Sequence, residues 1–439
     1  MKKTSLYLLV LLLAFAASCK KNNEDPSKLN IVELRSAGKP ISNPNINPSN
    51  LKPEGAEATL RSLRYVSPLP IYYMDYTAKV DWTQLMKDDP NSRYHLFEND
   101  RAHTDLDNLL YNNPPREDII PTRHGLCSGF VCYNPQHELL FGRNYDGNTG
   151  PLLVVFNQDV KPGEHKSVLM TELSMAQMSS GIDSLYDYDP CLLEAGKNLD
   201  VLLRQPAAVL DGMNDVGLCL AAYQLPNFDN GTPEIGHNET PRPHGVDQNT
   251  GKSQIISSVL HRMILTKCAT VNDVVNFFNS YDYTSIIPDL NIHWYVADAK
   301  NNWRTLEFWK GSQGQDALFV MDEKYRQASA YMSGSIVPYE YRCIENFYCN
   351  LEASSTYNLD HWQHGYSTKA RAMNLMSHYA PTMTEEEALQ CLQYGSFGVE
   401  TPGEVTDWSC VYNPQKKTVI FTMRNDMSTV YSIDLNKDL

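Results

Sequence analysis

Cys127-Ser-Gly-Phe-Val-Cys-Tyr-Asn-Pro-Gln-His-Glu-Leu-Leu-Phe-Gly-Arg-Asn-Tyr-Asp146 is the stretch on which the reading of the fold turns. Residues 128–133 and 137–143 are apolar-rich runs, and Asn134-Pro135-Gln136 supplies turn chemistry between them. The pattern predicts a β-hairpin. A thiol stands just before its first strand, and Arg143 and Asp146 stand just after its second. A hairpin folds those ends together, so thiol, guanidinium and carboxylate can converge, the set that activates a cysteine nucleophile. By spacing alone a second reading stays open: a buried cysteine is as a rule a small hydrophobe, and an Arg–Asp pair is as a rule structural.

Downstream of the hairpin the chain reads as strands, then helices, then hairpins. Residues 152–157 and 216–224 are strand-like, the latter following the turn-prone Asp211-Gly-Met-Asn-Asp215. Residues 227–251 are polar with Gly and Pro, a long loop near a site. Ser253 can cap a helix with Ile256, Val259, Leu260, Met263 and Ile264 on one face, and Thr270 can cap another, with Asp273 at its third position. Strands at 292–298 and 303–309 flank the turn Lys300-Asn-Asn302, and strand-like runs recur near 317–321 and 329–333. Ser367 can cap a helix running to about Tyr379, and Thr384 with Glu387 forms a capping box for the next. A hairpin of 408–413 and 418–424 closes the chain. This order predicts an α+β layered domain rather than a βαβ alternation.

Upstream, Lys2 and Lys3 precede a short apolar run from Leu6 to Ala17, and small residues lead to Cys19. Residues 1–18 resemble a bacterial lipoprotein signal with Cys19 as the lipidated residue, a plain secretory signal being the alternative. Residues 19–64, rich in Asn, Pro and Ser, read as a tether that packs no core. Residues 65–126 contain the strand-like Leu69–Asp75 and helical stretches near Trp82–Met86 and 95–112, too much for a linker. No other run is long and apolar enough to cross a membrane. The expected location is the bacterial envelope, held by lipid, at the outer membrane.

The net charge of −15 over 439 residues argues against nucleic acid or anionic lipid as a partner. Ten cysteines at irregular spacing are no disulfide scaffold, and with Cys19 set aside nine remain, an odd number. Cys132, Cys219 and Cys410 lie in apolar runs and read as core. Cys127 and Cys132 have no second pair at zinc spacing, so no metal is expected. Gly251-Lys-Ser253 resembles the end of a P-loop, but Gly245 is one residue too far away and no strand precedes it. His-Glu-x-x-His and Gly-x-Ser-x-Gly are both missing from the sequence.

Five motifs in order resemble the choloylglycine hydrolase and penicillin V acylase family, the linear amide C–N hydrolases. They are Cys-Ser-Gly-Phe … Phe-Gly-Arg-Asn-Tyr-Asp at 127–146, Asp211-Gly-Met-Asn-Asp-Val-Gly-Leu218, His293-Trp-Tyr-Val-Ala-Asp298 with Glu307, Gly365-Tyr-Ser-Thr-Lys-Ala-Arg371, and Thr406-Asp-Trp-Ser-Cys-Val-Tyr-Asn413. The resemblance spans 127 to about 435. It implies an N-terminal-nucleophile hydrolase, a four-layer αββα sandwich at 127–439, with no cofactor. Cys127 would attack the amide carbonyl through its thiol, with its own free α-amine as base, giving a thioester acyl-enzyme. Arg143 would steady the thiolate and orient Asp146, Asp146 would hold the α-amine, and Arg371 would help hold the cluster. Asn214 is the asparagine of the Gly-Met-Asn motif, more often structural than catalytic.

Two positions depart from the family. Gln224 stands where the family has an Asn or Tyr of the oxyanion hole, and Ser333 falls where it has an Asn. Each donor lost there costs on the order of 10²–10³ in rate. Because Cys127 is internal, the Leu126–Cys127 bond must be cut, by autoproteolysis as in the related acid ceramidase and N-acylethanolamine amidase group, where the pro-part stays bound. The expected partner is a small N-acyl amide, its acyl pocket lined by 147–206 and 227–251. Acyl and amine specificity and oligomeric state are not legible. The competing reading is an uncleaved surface-binding protein of the same fold that has lost the chemistry.

Overall fold

The structure is a computed structural model. It describes residues 29–41, 54–66, 69, 71–79, 127–147, 151–173, 202–203, 209–225, 246, 248–284, 292–310, 316–321, 331–332, 335–336, 342–345, 382–393, 395–396 and 405–439.

The first strands are β1 (Ile31–Glu33), β2 (Lys39–Pro40), β3 (Arg64–Val66) and β4 (Ile71–Tyr76), with short helices α1 (Leu34–Ala37) and α2 (Ala56–Arg61) among them. The opening hairpin is β5 (Ser128–Tyr133) and β6 (Leu139–Gly147), followed by β7 (Leu152–Asn157), β8 (Ser167–Glu172), β9 (Asp211–Asn214) and β10 (Cys219–Gln224). Then come β11 (Ser253–Ile256), α3 (Ser257–Lys267), α4 (Val271–Ser280) and β12 (Tyr281–Thr284). Strands β13 (Ile292–Ala297), β14 (Trp303–Lys310), β15 (Asp316–Met321), β16 (Tyr331–Met332), β17 (Ser335–Ile336) and β18 (Cys343–Glu345) lead to α5 (Glu385–Gln393). Strands β19 (Val405–Asn413), β20 (Thr418–Met423) and β21 (Val430–Asp434) and helix α6 (Leu435–Asp438) end the chain.

Two large sheets form, a seven-stranded one in the order β1-β21-β20-β19-β6-β5-β18 and a ten-stranded one in the order β15-β14-β13-β10-β9-β8-β7-β4-β3-β2. The period-two alternation of strand side chains divides the apolar residues into three layers. Val131, Phe141, Trp408 and Tyr412 of the seven-stranded sheet meet Val154, Phe156, Met213 and Tyr295 of the ten-stranded sheet in a buried central layer. The opposite face of the ten-stranded sheet, with Leu153, Val155, Leu220 and Val296, packs on Val259, Leu260 and Met263 of α3 and Val274 and Phe277 of α4. The outer face of the seven-stranded sheet, with Phe130, Leu140 and Val411, packs on Ala388, Leu389 and Leu392 of α5. Helix, sheet, sheet, helix is the αββα arrangement expected from the family resemblance.

Local chemistry explains the helix starts. Thr270 accepts from the Asp273 main-chain N–H at 3.2 Å while Asp273 accepts from the Thr270 N–H at 2.9 Å, a reciprocal capping box on α4. Thr384 and Glu387 do the same for α5, at 3.2 and 2.8 Å.

Four expectations are corrected. Residues 211–214 form β9 rather than a turn; the reversal lies at Asp215–Gly217, where Gly217 adopts φ +85°. Ser253 opens β11, not a helix, because residues 253–256 pair in parallel with β12, and α3 starts at Ser257. Arg143 and Asp146 lie inside β6, which β19 extends to Gly147 by pairing alongside it. The tether expected at 19–64 packs in its described residues: Leu34, Ile41, Ala56, Leu60 and Leu63 are buried. Strand β1 pairs in parallel with β21, and β2, β3 and β4 extend the ten-stranded sheet, β4 lying parallel to β7. Sparse apolar residues at the right spacing suffice when a preformed sheet edge offers the hydrogen bonds. The helices expected near 82–112 and at 367–379 lie outside the described residues, as do Cys19 and the run before it. Among the described residues, no helix is long and apolar enough to cross a membrane.

Candidate active site

Cys127 sits one residue before β5. Same-side residues of a strand recur every second position, so Cys127, Gly129 and Val131 share the side of β5 that faces the central layer. Gly129 is directly opposite Arg143 on β6, which places that guanidinium on the same side as the thiol. The hairpin thus brings the thiol and the guanidinium onto one side. Cys127 is buried, and burial pushes its thiol pKa up; the Arg143 charge and the Asp146 main-chain N–H, which donates to the sulfur, pull the other way. The Asp146 carboxylate accepts from the Thr406 hydroxyl of β19, which sits opposite it across the sheet.

Arg143 is fully buried, and a buried cation needs a counter-charge. Asp211 of β9, on the other sheet, provides it, with the carboxylate 3.6 Å from Arg143 Nε. Trp408, Cys410 and Tyr412 alternate along β19 onto one side, and each reaches Asp211. Trp408 Nε1 donates at 3.2 Å, the Cys410 thiol lies at 3.7 Å, and the Tyr412 hydroxyl donates as well. Burial raises the Asp211 pKa, and Arg143 and these donors oppose the rise. The ion pair therefore ties the two sheets together directly behind the thiol. Above Arg143 lies the Tyr223 ring of β10, 4.2 Å from the guanidinium carbon, with Tyr145 at 5.6 Å on β6.

Asn214 is not part of this cluster. It is one strand position out of phase with Met213, so its side chain faces the outer helix layer. Its amide donates to the Leu265 and Cys268 carbonyls at 2.9 and 2.8 Å, and its carbonyl accepts from the Leu218 N–H at 2.8 Å. Those bonds close the turn after β9 and satisfy the C-terminal carbonyls of α3. Gln224 is the last residue of β10, its backbone paired with Ile292; its side chain, Ser333 and Arg371 lie outside the described residues.

Sequence reasoning missed two residues of the cluster, Asp211 and Tyr223. Asp211 had one signal: a carboxylate opening an apolar run, which in a strand must find a buried partner. Tyr223 had none, because a tyrosine in an apolar run reads as core. Among the described residues the seven cysteines are all buried, and no group of three or more His, Cys, Asp or Glu side chains could hold a metal.

Residues 127–325 match the family model of the linear amide C–N hydrolases, choloylglycine hydrolase family. No curated protein matches the chain. Solved structures of similar course include a variant of conjugated bile acid hydrolase from Clostridium perfringens, at 12% identity and TM-score 0.44, covering 71% of this chain and 93% of that one. Penicillin V acylase from Agrobacterium tumefaciens aligns at 14% identity and TM-score 0.43, covering 71% of this chain and 87% of that one. A Caenorhabditis elegans N-acylethanolamine-hydrolyzing acid amidase ortholog aligns at 13% identity and TM-score 0.34, covering 66% and 93%.

Proposed function

We propose that the chain is a hydrolase of the linear amide C–N type, a reading supported by the match of residues 127–325 to the choloylglycine hydrolase family, and that Cys127 is its nucleophile, freed by cleavage after Leu126. The observation that carries the proposal is the approach of the Cys127 thiol and the Arg143 guanidinium inside the central layer, with Asp146 near enough for its main-chain N–H to donate to the sulfur.

In this mechanism the thiol gives its proton to the Cys127 α-amine as Sγ attacks the amide carbonyl. The tetrahedral adduct collapses, the amine departs with that proton, and a thioester remains. Water, deprotonated by the same α-amine, attacks the thioester and releases the carboxylate. An α-amine with an ordinary pKa near ~8 is well placed for both transfers. Arg143 steadies the thiolate, whose charge burial would otherwise disfavour, and Asp146 holds the α-amine in position. Arg371 completes the cluster, and Gln224 and Ser333 replace the usual amide donors toward the oxyanion. Cleavage before Cys127 would be autoproteolytic, using the same thiol.

The N-terminal strands support retention of the leading segment after cleavage. They are spliced into both sheets, β1 onto β21 and β4 onto β7, so the cut chain would keep them as a non-covalent subunit. Arg35 of α1 adds an ion pair across the cut to Asp438 at 3.1 Å, and within the leading segment it pairs with Asp75 at 2.7 Å. We also propose attachment to the bacterial envelope by lipid at Cys19, and a small N-acyl amide as substrate.

The test is turnover of a panel of N-acyl amides, spanning conjugated steroid, aryl-acyl, fatty-acyl and amino-acid forms. Wild-type turnover that is lost in Cys127→Ala supports the reading; turnover that survives Cys127→Ala overturns it.

A further inference from the structure

Tyr223 is a buried polar group beside the site that this mechanism leaves unused. Its ring is fully buried against the Arg143 guanidinium, and its hydroxyl donates to no acceptor among the described residues. The guanidinium beside it has only donors, so it cannot take the phenolic proton. A buried hydroxyl left without an acceptor carries a desolvation cost that a phenylalanine at this position would avoid.

Space for that hydroxyl is reserved at Gly129. A Cβ on residue 129 would lie 2.2 Å from the Tyr223 oxygen, so only glycine lets the phenol reach the strand. Gly129 is the next same-side residue after Cys127, about 7 Å along β5. An acyl carbon bonded to the Cys127 sulfur would carry its oxygen into that interval. On the far side, the phenol is fixed by a row across three strands. Tyr223 lies directly opposite His293 on β13, their rings edge-to-face at 5.9 Å. His293 in turn pairs with Glu307 of β14 through Nδ1 at 3.2 Å.

We propose that the Tyr223 hydroxyl is an oxyanion donor of this hydrolase, beside position 224 where Gln stands in place of the family's Asn or Tyr, with the His293–Glu307 pair positioning it. The inference rests on Cys127 being the nucleophile. As the Cys127 sulfur bonds to the carbonyl carbon, the π pair moves to oxygen, and the phenolic O–H donates a hydrogen bond to it without giving up its proton. When the adduct collapses, the pair returns and the C–N bond breaks. Burial raises the phenol pKa against the pull of Arg143, which keeps the O–H a donor throughout.

The experiment compares wild type, Cys127→Ala and Tyr223→Phe on an amide that the wild type hydrolyses, and measures iodoacetamide alkylation of Cys127 alongside. Alkylation forms no oxyanion, so it reports the thiol alone. The expected result is a kcat lower by about 10²–10³ in Tyr223→Phe, with KM and the alkylation rate each within about threefold of wild type. Affinity for an acyl aldehyde, whose thiohemiacetal carries the same oxyanion, falls in parallel. Two results overturn the inference while leaving Cys127 in place: a Tyr223→Phe kcat within about threefold of wild type, or a matched fall in alkylation and turnover. Wild-type activity that persists in Cys127→Ala overturns the nucleophile as well.

Discussion

Replacing Asp211 with Asn keeps the shape that Trp408 and Tyr412 donate into, but strips the charge opposite Arg143. A fully buried guanidinium left without its counter-ion is costly, and the expected loss is about 3 kcal/mol in a urea titration. Turnover should fall with it, because the same guanidinium faces the thiol. His261 gives a separate, pH-dependent reading. Burial holds its pKa down at about 4, and the neutral ring is locked in place. Its Nδ1–H donates to the Val209 carbonyl, and its Nε2 accepts from Trp294 Nε1 at 2.8 Å. Protonation would set one N–H against another. Since the folded value lies below the unfolded value of about 6.5, the stabilisation is present above pH 6.5 and is lost as pH falls toward 4, by roughly 2–3 kcal/mol between those limits. Denaturant midpoints at pH 7 and pH 4.5 should differ less in His261→Gln than in wild type. Residues on the opening hairpin were legible in the sequence because one local turn brings them together. Asp211 and Tyr223 reach the same place from the facing sheet, and no local pattern encodes which strands will face each other.

Elements were legible where their ends carry their own chemistry. The capping boxes at Thr270 and Thr384 and the hairpin turn at Asn134 are local, and each stands where the sequence put it. Strand β9 was misread because Asp-Gly-Met-Asn has turn chemistry, which pairing with β8 and β10 overrides. Strand β11 was misread because an apolar run continuous with α3 shares its residues with a parallel partner 28 positions away, Ser253 opposite Tyr281. The true reversal after β9 depends on Gly217. There φ is +85°, and a Cβ would lie 2.2 Å from the Pro414 carbonyl oxygen. Gly217→Ala should therefore cost at least about 1 kcal/mol in thermal or denaturant unfolding. The strands β1 to β4 were read partly as tether, since few apolar residues mark them. Their stability comes from sheet edges supplied by distant parts of the chain.

At the scale of the whole molecule, the leading segment, the hairpin and the closing strands make one body. If the chain is cut before Cys127, the two pieces should co-elute on size exclusion under native conditions and separate only in denaturant. Loss of the leading piece on native chromatography would contradict that account, since it would bare the edges of β21 and β7. An α+β layered domain followed from the order of hairpins and helices and its four layers from the family resemblance, whereas the splicing of early strands into both sheets did not, because strand order across a sheet is a long-range property. The central claim concerns a single peptide bond. The mass of purified full-length protein, measured under denaturing conditions alongside its Cys127→Ala variant, tests it most directly. The account predicts a fragment beginning at Cys127 from the wild type and an uncut junction in the variant. An uncut wild-type chain that still hydrolyses N-acyl amides would contradict it.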